Sequence, residues 1–266
     1  AVSHAKESLG LSERKACLLV NISASVYRYR PKSDGDVALR QRLRELAGQR
    51  KRFGSPRLHI LLKREGLVIN HKRTERIYRE EGLVLRRKKR RKGTAGLRVM
   101  MPSPQMPNQR WSMDFVTDSI ITGRRFRALA IVDDYSRECP VIEVDTSLGG
   151  ARVVSVLERL GETRGLPNVI TTDNGPEFTG RALDEWAYRK GIQLNFIRPG
   201  KPIENAYAES FIGRLRDECL NENWFMNLKH ARHIIEDWRR DYNEVRPHSS
   251  LNGMAPMEYA ETAAGL

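Results

Sequence analysis

The chain runs to 266 residues, 39% of them hydrophobic, which is enough to bury a core and too long for one small domain. Lys and Arg outnumber Asp and Glu 47 to 33, for a net charge of +14, and no apolar run approaches the roughly 18 residues of a membrane-spanning helix. The charge is unevenly placed: residues 1–100 hold 27 basic against 9 acidic side chains, residues 101–266 hold 20 against 24, so +18 is joined to −4. That asymmetry reads as a polyanion-binding arm on a separate functional domain. Cys17, Cys139 and Cys219 are odd in number and far apart, which argues against a disulfide framework or a Cys-rich zinc site and fits a reducing cytoplasm. No signal-peptide pattern opens the chain, and because it begins on Ala1, its natural start or a longer fused precursor is expected upstream.

In chain order, residues 11–30 read as two short helices around Asn21, Ile22 and Ser23, with Ser12 and Ser23 as N-caps, a pattern shared by a helix-turn-helix and a plain helical hairpin. A helix from Asp36 to Gln49 sets Leu39, Leu43 and Leu46 on one stripe, and another from Ser55 to Glu65 carries Pro56 in its first turn. Asn70 then caps a helix to Glu81 bearing Lys72, Arg73, Arg76 and Arg79, the segment best suited to a DNA groove, although such arginines also suit a solvated face. The unbroken run Arg86, Arg87, Lys88, Lys89, Arg90, Arg91 and Lys92 repels itself too strongly to fold alone and reads as a phosphate-neutralising linker, stiffened afterwards by Pro102, Pro104 and Pro107.

Alternation marks a strand from Trp111 to Val116, with Asp114 on the face opposite Trp111, Met113 and Phe115. Strands follow over Arg125 to Val132 and Cys139 to Val144, joined through a turn at Asp133 and Asp134. Next come a helix from Ala151 to Arg164, the strand Val169 to Thr172 ending in Asp173, a helix from Thr179 to Lys190 and a strand from Ile192 to Ile197. Beyond the loop that starts at Arg198, Asn205, Glu209, Ile212 and Arg216 recur at steps of four, three and four and share one helix face. The last helix, Leu228 to Tyr242, has Ala231, Ile234, Ile235 and Trp238 as its apolar stripe, and Arg246, Pro247 and His248 lie in the turn after it, placed either to reach DNA or to pack against the core. Three strands, helix, strand, helix, strand, helix implies an α/β layer fold with a mixed sheet. Asp114, Asp173 and Glu209, from two strands and a helix, form an oxygen donor set suited to a hard divalent cation. His230 and His233 lack a partner cysteine and read as surface residues.

Trp111-x-x-Asp114, Asp173-Asn174-Gly175-x-Glu177-Phe178, and Asn205-x-x-x-Glu209 with 35 residues between Asp173 and Glu209, together resemble the retroviral-integrase core. More particularly, with the basic helices and HKRTERIYREEGL before them and WRRDYNEVRPHSSLNGMAPMEY after them, they resemble the second-frame transposases of bacterial insertion sequences over nearly the whole chain. The resemblance implies a ribonuclease H-like fold, a mixed five-stranded sheet with helices, preceded by an all-α, helix-turn-helix-like DNA-binding region. The segments expected are 1–85 for that basic region, 86–107 for the linker, 108–225 for the catalytic core and 226–266 for a terminal helix and tail. Asp114, Asp173 and Glu209 carry over as ligands of two Mg2+ or Mn2+ ions, and Arg216 matches the family's basic residue on the same helix, expected to contact phosphate. Asn174 and Gly175 are expected to shape the turn that aims Asp173. Glu177 is either a carboxylate supporting the ligands or a salt-bridge partner, and Asn205 either touches the terminal nucleotide or caps its helix.

The function implied is metal-dependent strand cleavage at insertion-sequence ends and strand transfer by direct transesterification, in the bacterial cytoplasm, at the nucleoid. Expected partners are double-stranded DNA, further copies of the chain, and the first-frame protein of the same element. The alternatives are a catalytically silent DNA-binding regulator, which predicts loss of a carboxylate, and a nuclease cutting RNA in hybrids, which needs no +18 arm. The His/Cys metal module that opens retroviral integrases has no counterpart, and no long leucine heptad series is present.

Overall fold

A computed structural model describes residues 1–29, 35–86, 102–198 and 205–264, so Arg87, Lys88, Lys89, Arg90, Arg91 and Lys92 of the basic run lie outside the described residues. Two compact units divide between Arg42 and Leu43, inside a helix and not at the basic run. In the first, α1 (Val2–Leu9), α2 (Glu13–Leu19) and α3 (Ala24–Arg28) enclose Val2, Ala5, Ala16 and Cys17. Ser23 caps α3, its Oγ accepting from Val26 N at 3.2 Å. Ser12 stands at the N-cap position of α2 without a side-chain hydrogen bond, so only one of the two expected serine caps forms.

The second unit opens within α4 (Val37–Gln49), which turns Leu39, Leu43 and Leu46 inward. In α5 (Ser55–Arg64) the buried positions are Leu58, Leu61 and Leu62; in α6 (His71–Glu80) they are Thr74, Ile77 and Tyr78. The Asn70 side chain caps α6 by accepting from Lys72 N at 3.0 Å.

The sheet that follows has the order β3-β2-β1-β4-β5. β1 (Arg110–Ser119) pairs antiparallel with β2 (Arg125–Asp133) in the register Trp111 to Asp133, through a turn whose Gly123 holds φ +81°, a conformation that excludes most side chains. β2 pairs antiparallel with β3 (Val141–Asp145), while β4 (Val169–Thr172) and β5 (Gln193–Phe196) add in parallel on the other side of β1. β3 starts two residues later than the sequence suggests. Pro140 has no N–H for a ladder, and both backbone polar groups of Cys139 are taken by the buried Asn243 side chain, at 2.9 Å each.

Period-two alternation gives the sheet two apolar faces. Trp111, Met113, Leu129, Ile131 and Ile170 pack against α7 (Gly150–Arg164) and α8 (Arg181–Lys190). Val116, Phe126, Ala128, Ala130, Val132, Ile142 and Val144 pack against α9 (Ala206–Glu218) and α10 (Leu228–Glu244), and α11 (Pro256–Ala264) follows. This is a ribonuclease H-like layer architecture, a mixed five-stranded sheet covered on both faces. No helix among the described residues is long and apolar enough to cross a membrane.

Candidate active site

Because alternate residues of β1 point to opposite faces, burying Trp111 and Met113 under α7 and α8 turns Asp114 toward α9. Asp173 follows the last residue of β4, the strand hydrogen-bonded beside β1, so both carboxylates lie at the centre of the sheet. Glu209 lies in the first turn of α9, on its solvent side, and Arg216 follows about two turns on, also exposed. Three of these groups act on Asp114: burial first, with repulsion from Asp173 and Glu209, pushes its carboxyl up to about 6 against a hydrogen bond from Phe115 N (2.7 Å) and the charge of Arg216. Burial also raises Glu209.

Among the described residues no three His, Cys, Asp or Glu side chains are drawn up closely enough to enclose an ion. The donor chemistry itself, carboxylate oxygens with neither thiolate nor imidazole, suits Mg2+ or Mn2+ over a softer metal.

The loop after β4 is fastened at two points. Gly175 N donates to Asp173 Oδ1 at 3.0 Å, fixing the carboxylate, and Asn174 Nδ2 donates to the Ile197 carbonyl beyond β5 at 2.7 Å. A Cβ on Gly175 would lie 3.1 Å from Asp173 Oδ1 and 3.3 Å from Glu177 Oε2, so a larger residue there displaces an acid. Glu177 forms a salt bridge with Arg127 on β2, which holds its carboxyl below the usual range. The Arg127 guanidinium lies over Phe115 at 4.1 Å, and Phe115 stacks on Phe178 at 4.9 Å.

Asn205 does not make the expected helix cap. Only 2% exposed, it occupies the N-cap position of α9 without making the capping hydrogen bond; its Nδ2 donates instead to the carbonyl of Met113, at 3.1 Å. It therefore ties the start of α9 to the strand residue next to Asp114. Tyr207, one residue into that helix, lies under the Arg137 guanidinium at 4.0 Å. Neither Arg127 nor Tyr207 stands out in the sequence, because each contact joins distant segments and no local spacing announces it. Asp133 and Asp134 are buried and structural: Asp133 accepts from the backbone of Asn108, Tyr135 and Ser136, and Asp134 pairs with Arg110.

Of the candidate DNA contacts, Lys72, Arg73, Arg76 and Arg79 are all exposed on α6, with Arg76 and Arg79 also in i,i+4 pairs with Glu80 and Glu75. Arg86 is exposed as well. His233 is exposed and faces Asp237, and His230 accepts from Met226 N.

This arrangement matches known proteins along its length. Residues 104–202 and 190–256 match models of an integrase core domain, and residues 35–91 match an HTH-like domain, which is α4 to α6 and not the 11–30 pair. The chain also aligns with the simian T-cell lymphotropic virus intasome, solved by electron cryomicroscopy, over 82% of its length and 74% of that chain, at a TM-score of 0.55 and 14% identity. Fold and domain matches together define an integrase-core protein with a helix-turn-helix-like region before the core. The chain is 50% identical to a 31.7 kDa protein of insertion element IS407 from Burkholderia multivorans, over 97% of its own length and 94% of that protein's. It is 45% identical to a protein of insertion element IS476 from Xanthomonas euvesicatoria, over 98% of its length and 75% of that protein's. The chain belongs to the insertion-sequence transposases of the retroviral-integrase superfamily.

Proposed function

We propose that this chain cuts DNA strands at the ends of its insertion sequence and joins the freed ends to a target, with Asp114, Asp173 and Glu209 as the ligands of Mg2+ or Mn2+. The observation that carries this reading is that Asp173 at the end of β4, with Glu209 and Arg216 of α9, all act electrostatically on Asp114 of β1, in a chain of this family. Bound divalent ions supply a water nucleophile and charge stabilisation at the leaving 3′ oxygen. The three carboxylates hold that charge at the junction of β1, β4 and α9. Arg216 neutralises a phosphate beside it. Gly175 and Asn174 hold Asp173 in place, and Asn205 holds the start of α9 against β1.

Hydrolysis at the element's terminal phosphodiester leaves a 3′-OH, which attacks a second phosphodiester directly. No side chain serves as a nucleophile, so no protein–DNA bond forms. The exposed face of α6 and the basic run from Arg86 to Lys92 bind double-stranded DNA through phosphates. Joining two ends calls for further copies of the chain on the DNA, and the first-frame protein of the element is a candidate partner.

The test is a labelled duplex of the terminal repeat incubated with Mg2+ or Mn2+ and either the wild-type chain or Glu209→Gln. Metal-dependent nicking at the repeat's 3′ end, abolished in the variant, is the expected outcome. Binding without cleavage, persisting after addition of the first-frame fusion, would overturn the reading in favour of a silent regulator.

A further inference from the structure

The basic half of the sequence does more than face DNA. Between α4 and α5, Phe53 is 4% exposed, and three guanidiniums surround its ring: Arg57 at 5.1 Å, Arg50 at 5.2 Å and Arg246 at 5.7 Å. Two of these meet on one acid. Glu218, the last residue of α9, accepts from Arg246 Nε at 2.7 Å and Nη2 at 2.6 Å, and from Arg57 Nη1 at 3.1 Å. Arg246 is 1% exposed and its Nη1 also meets His248 Nε2 at 3.3 Å. Around this centre Arg50 pairs with Asp241 of α10, Lys51 and Arg52 pair with Glu222 just after α9, and Arg64 reaches Glu258 of α11.

The consequence concerns α9. Its first turn is tied to β1 by Asn205, and its last residue is held by an arginine from α5 and an arginine from the turn after α10. Glu209 lies nine residues before Glu218, roughly 14 Å along one rigid helix. A buried, bidentate guanidinium–carboxylate pair has a narrow geometry, so it fixes where the helix ends along its axis. A shift of one end of a helix is carried to the other.

We propose that Arg57 and Arg246, acting through Glu218, are positioning residues that set α9 at the register from which Glu209 can share a divalent cation with Asp114 and Asp173. This rests on the proposed reaction in one respect, that Glu209 is a ligand. It goes further in making α5, which falls within the HTH-like match, a working part of the cutting site. Arg57 touches no reacting group; it acts through Glu218 alone.

The experiment compares Arg57→Gln, Arg57→Lys, Glu218→Gln and the Arg57→Gln/Glu218→Gln double variant in the full chain, with Arg64→Gln as control. Arg64 belongs to the same ionic layer, pairing with Glu258 of α11 and donating to the Val245 and Gly253 carbonyls, but among the described residues it makes no bond to Glu218 or to α9. Four quantities are read: turnover in terminal-repeat nicking, Kd for that duplex, Mn2+ binding by titration without DNA, and Tm. Arg57→Gln and Glu218→Gln should each lower turnover on the order of tenfold or more and weaken Mn2+ binding, with duplex Kd unchanged. The double variant should be no worse than the poorer single one, and Arg57→Lys should recover part of the loss. Arg64→Gln should lower Tm and leave turnover and Mn2+ binding as in wild type.

Wild-type nicking together with wild-type turnover and Mn2+ binding in Arg57→Gln would overturn the positioning role while leaving the proposed reaction standing. Losses in Arg57→Gln that Arg64→Gln matches at equal Tm would also overturn it. A wild-type chain that neither nicks the duplex nor binds Mn2+ would instead overturn the reaction, and this inference with it.

Discussion

Asp114 and Glu209 meet water very differently, one largely buried on β1 and the other on the solvent side of α9. For Asp114, burial and two neighbouring carboxylates all disfavour the charged form. Its folded-state value, about 6, lies above the ordinary 3.8 of an aspartate, so between those limits the folded state binds the extra proton and stability falls as pH rises. Above about pH 6 the ionised carboxylate is a standing cost, which Asn does not carry. Asp114→Asn should therefore raise the stability of the metal-free protein at pH 7.5, on the order of 1 kcal/mol by denaturant titration, and abolish nicking. At pH 3.5 the stability gain should vanish; a gain that persisted there would mean that its cause is not charge. Gly175 makes a second test, because a methyl group there would crowd Asp173 and Glu177. Gly175→Ala should reduce nicking on the order of tenfold while costing under about 1 kcal/mol of stability.

Elements, unlike contacts, were largely legible. Leu39, Leu43 and Leu46 at helical spacing, the alternation through Trp111 to Val116, and the Asn70 cap each encode their element within a few neighbouring residues, and each element forms. The same locality explains the misses. Asn205 was read by its place before a helix, which suggests a cap, but its side chain meets the carbonyl of Met113, 92 positions away in sequence. Arg246 and His248 pack into the core, one of the two readings open for that turn, but no local spacing names their partners, which lie on α9 and α10. His248 is buried in that layer, and burial together with Arg246, Arg214 and Arg57 lowers it to about 3. Its Nε2 accepts from Arg246, which leaves the proton on Nδ1 for the Tyr242 carbonyl. Because the folded value is depressed, the stability contributed by neutral His248 is fully present above about pH 6.5 and is lost as pH falls toward 3. Substituting Asn should flatten the acid limb of a stability-against-pH curve below pH 6.5, measured by urea midpoints. An unchanged acid limb would show that another group governs it.

For the whole molecule the instructive quantity is charge. A +18 half beside a −4 half suggested an arm reserved for DNA, yet Arg50, Lys51, Arg52, Arg57 and Arg64 meet Asp241, Glu222, Glu218 and Glu258 within the chain. Composition counts charges without saying which are already paired, and these pairs span 161 to 194 residues, beyond any local pattern. The exposed cations of α6 are placed differently, on a face turned to solvent, so the two sets should separate in one experiment. Duplex affinity falls with salt in proportion to the phosphates neutralised, by about 0.9 in logarithmic slope for each. Replacing Lys72, Arg73, Arg76 and Arg79 together with Gln should therefore shallow the slope by roughly 3 to 4 and leave Tm nearly unchanged. Arg50→Gln should do the reverse, lowering stability by about 1 kcal/mol through loss of the partly exposed Asp241 pair and leaving the slope alone. Equal slope losses per charge from both sets would mean that the ionic layer opens when DNA binds, and that the arginines holding α9 are released to phosphate at that moment.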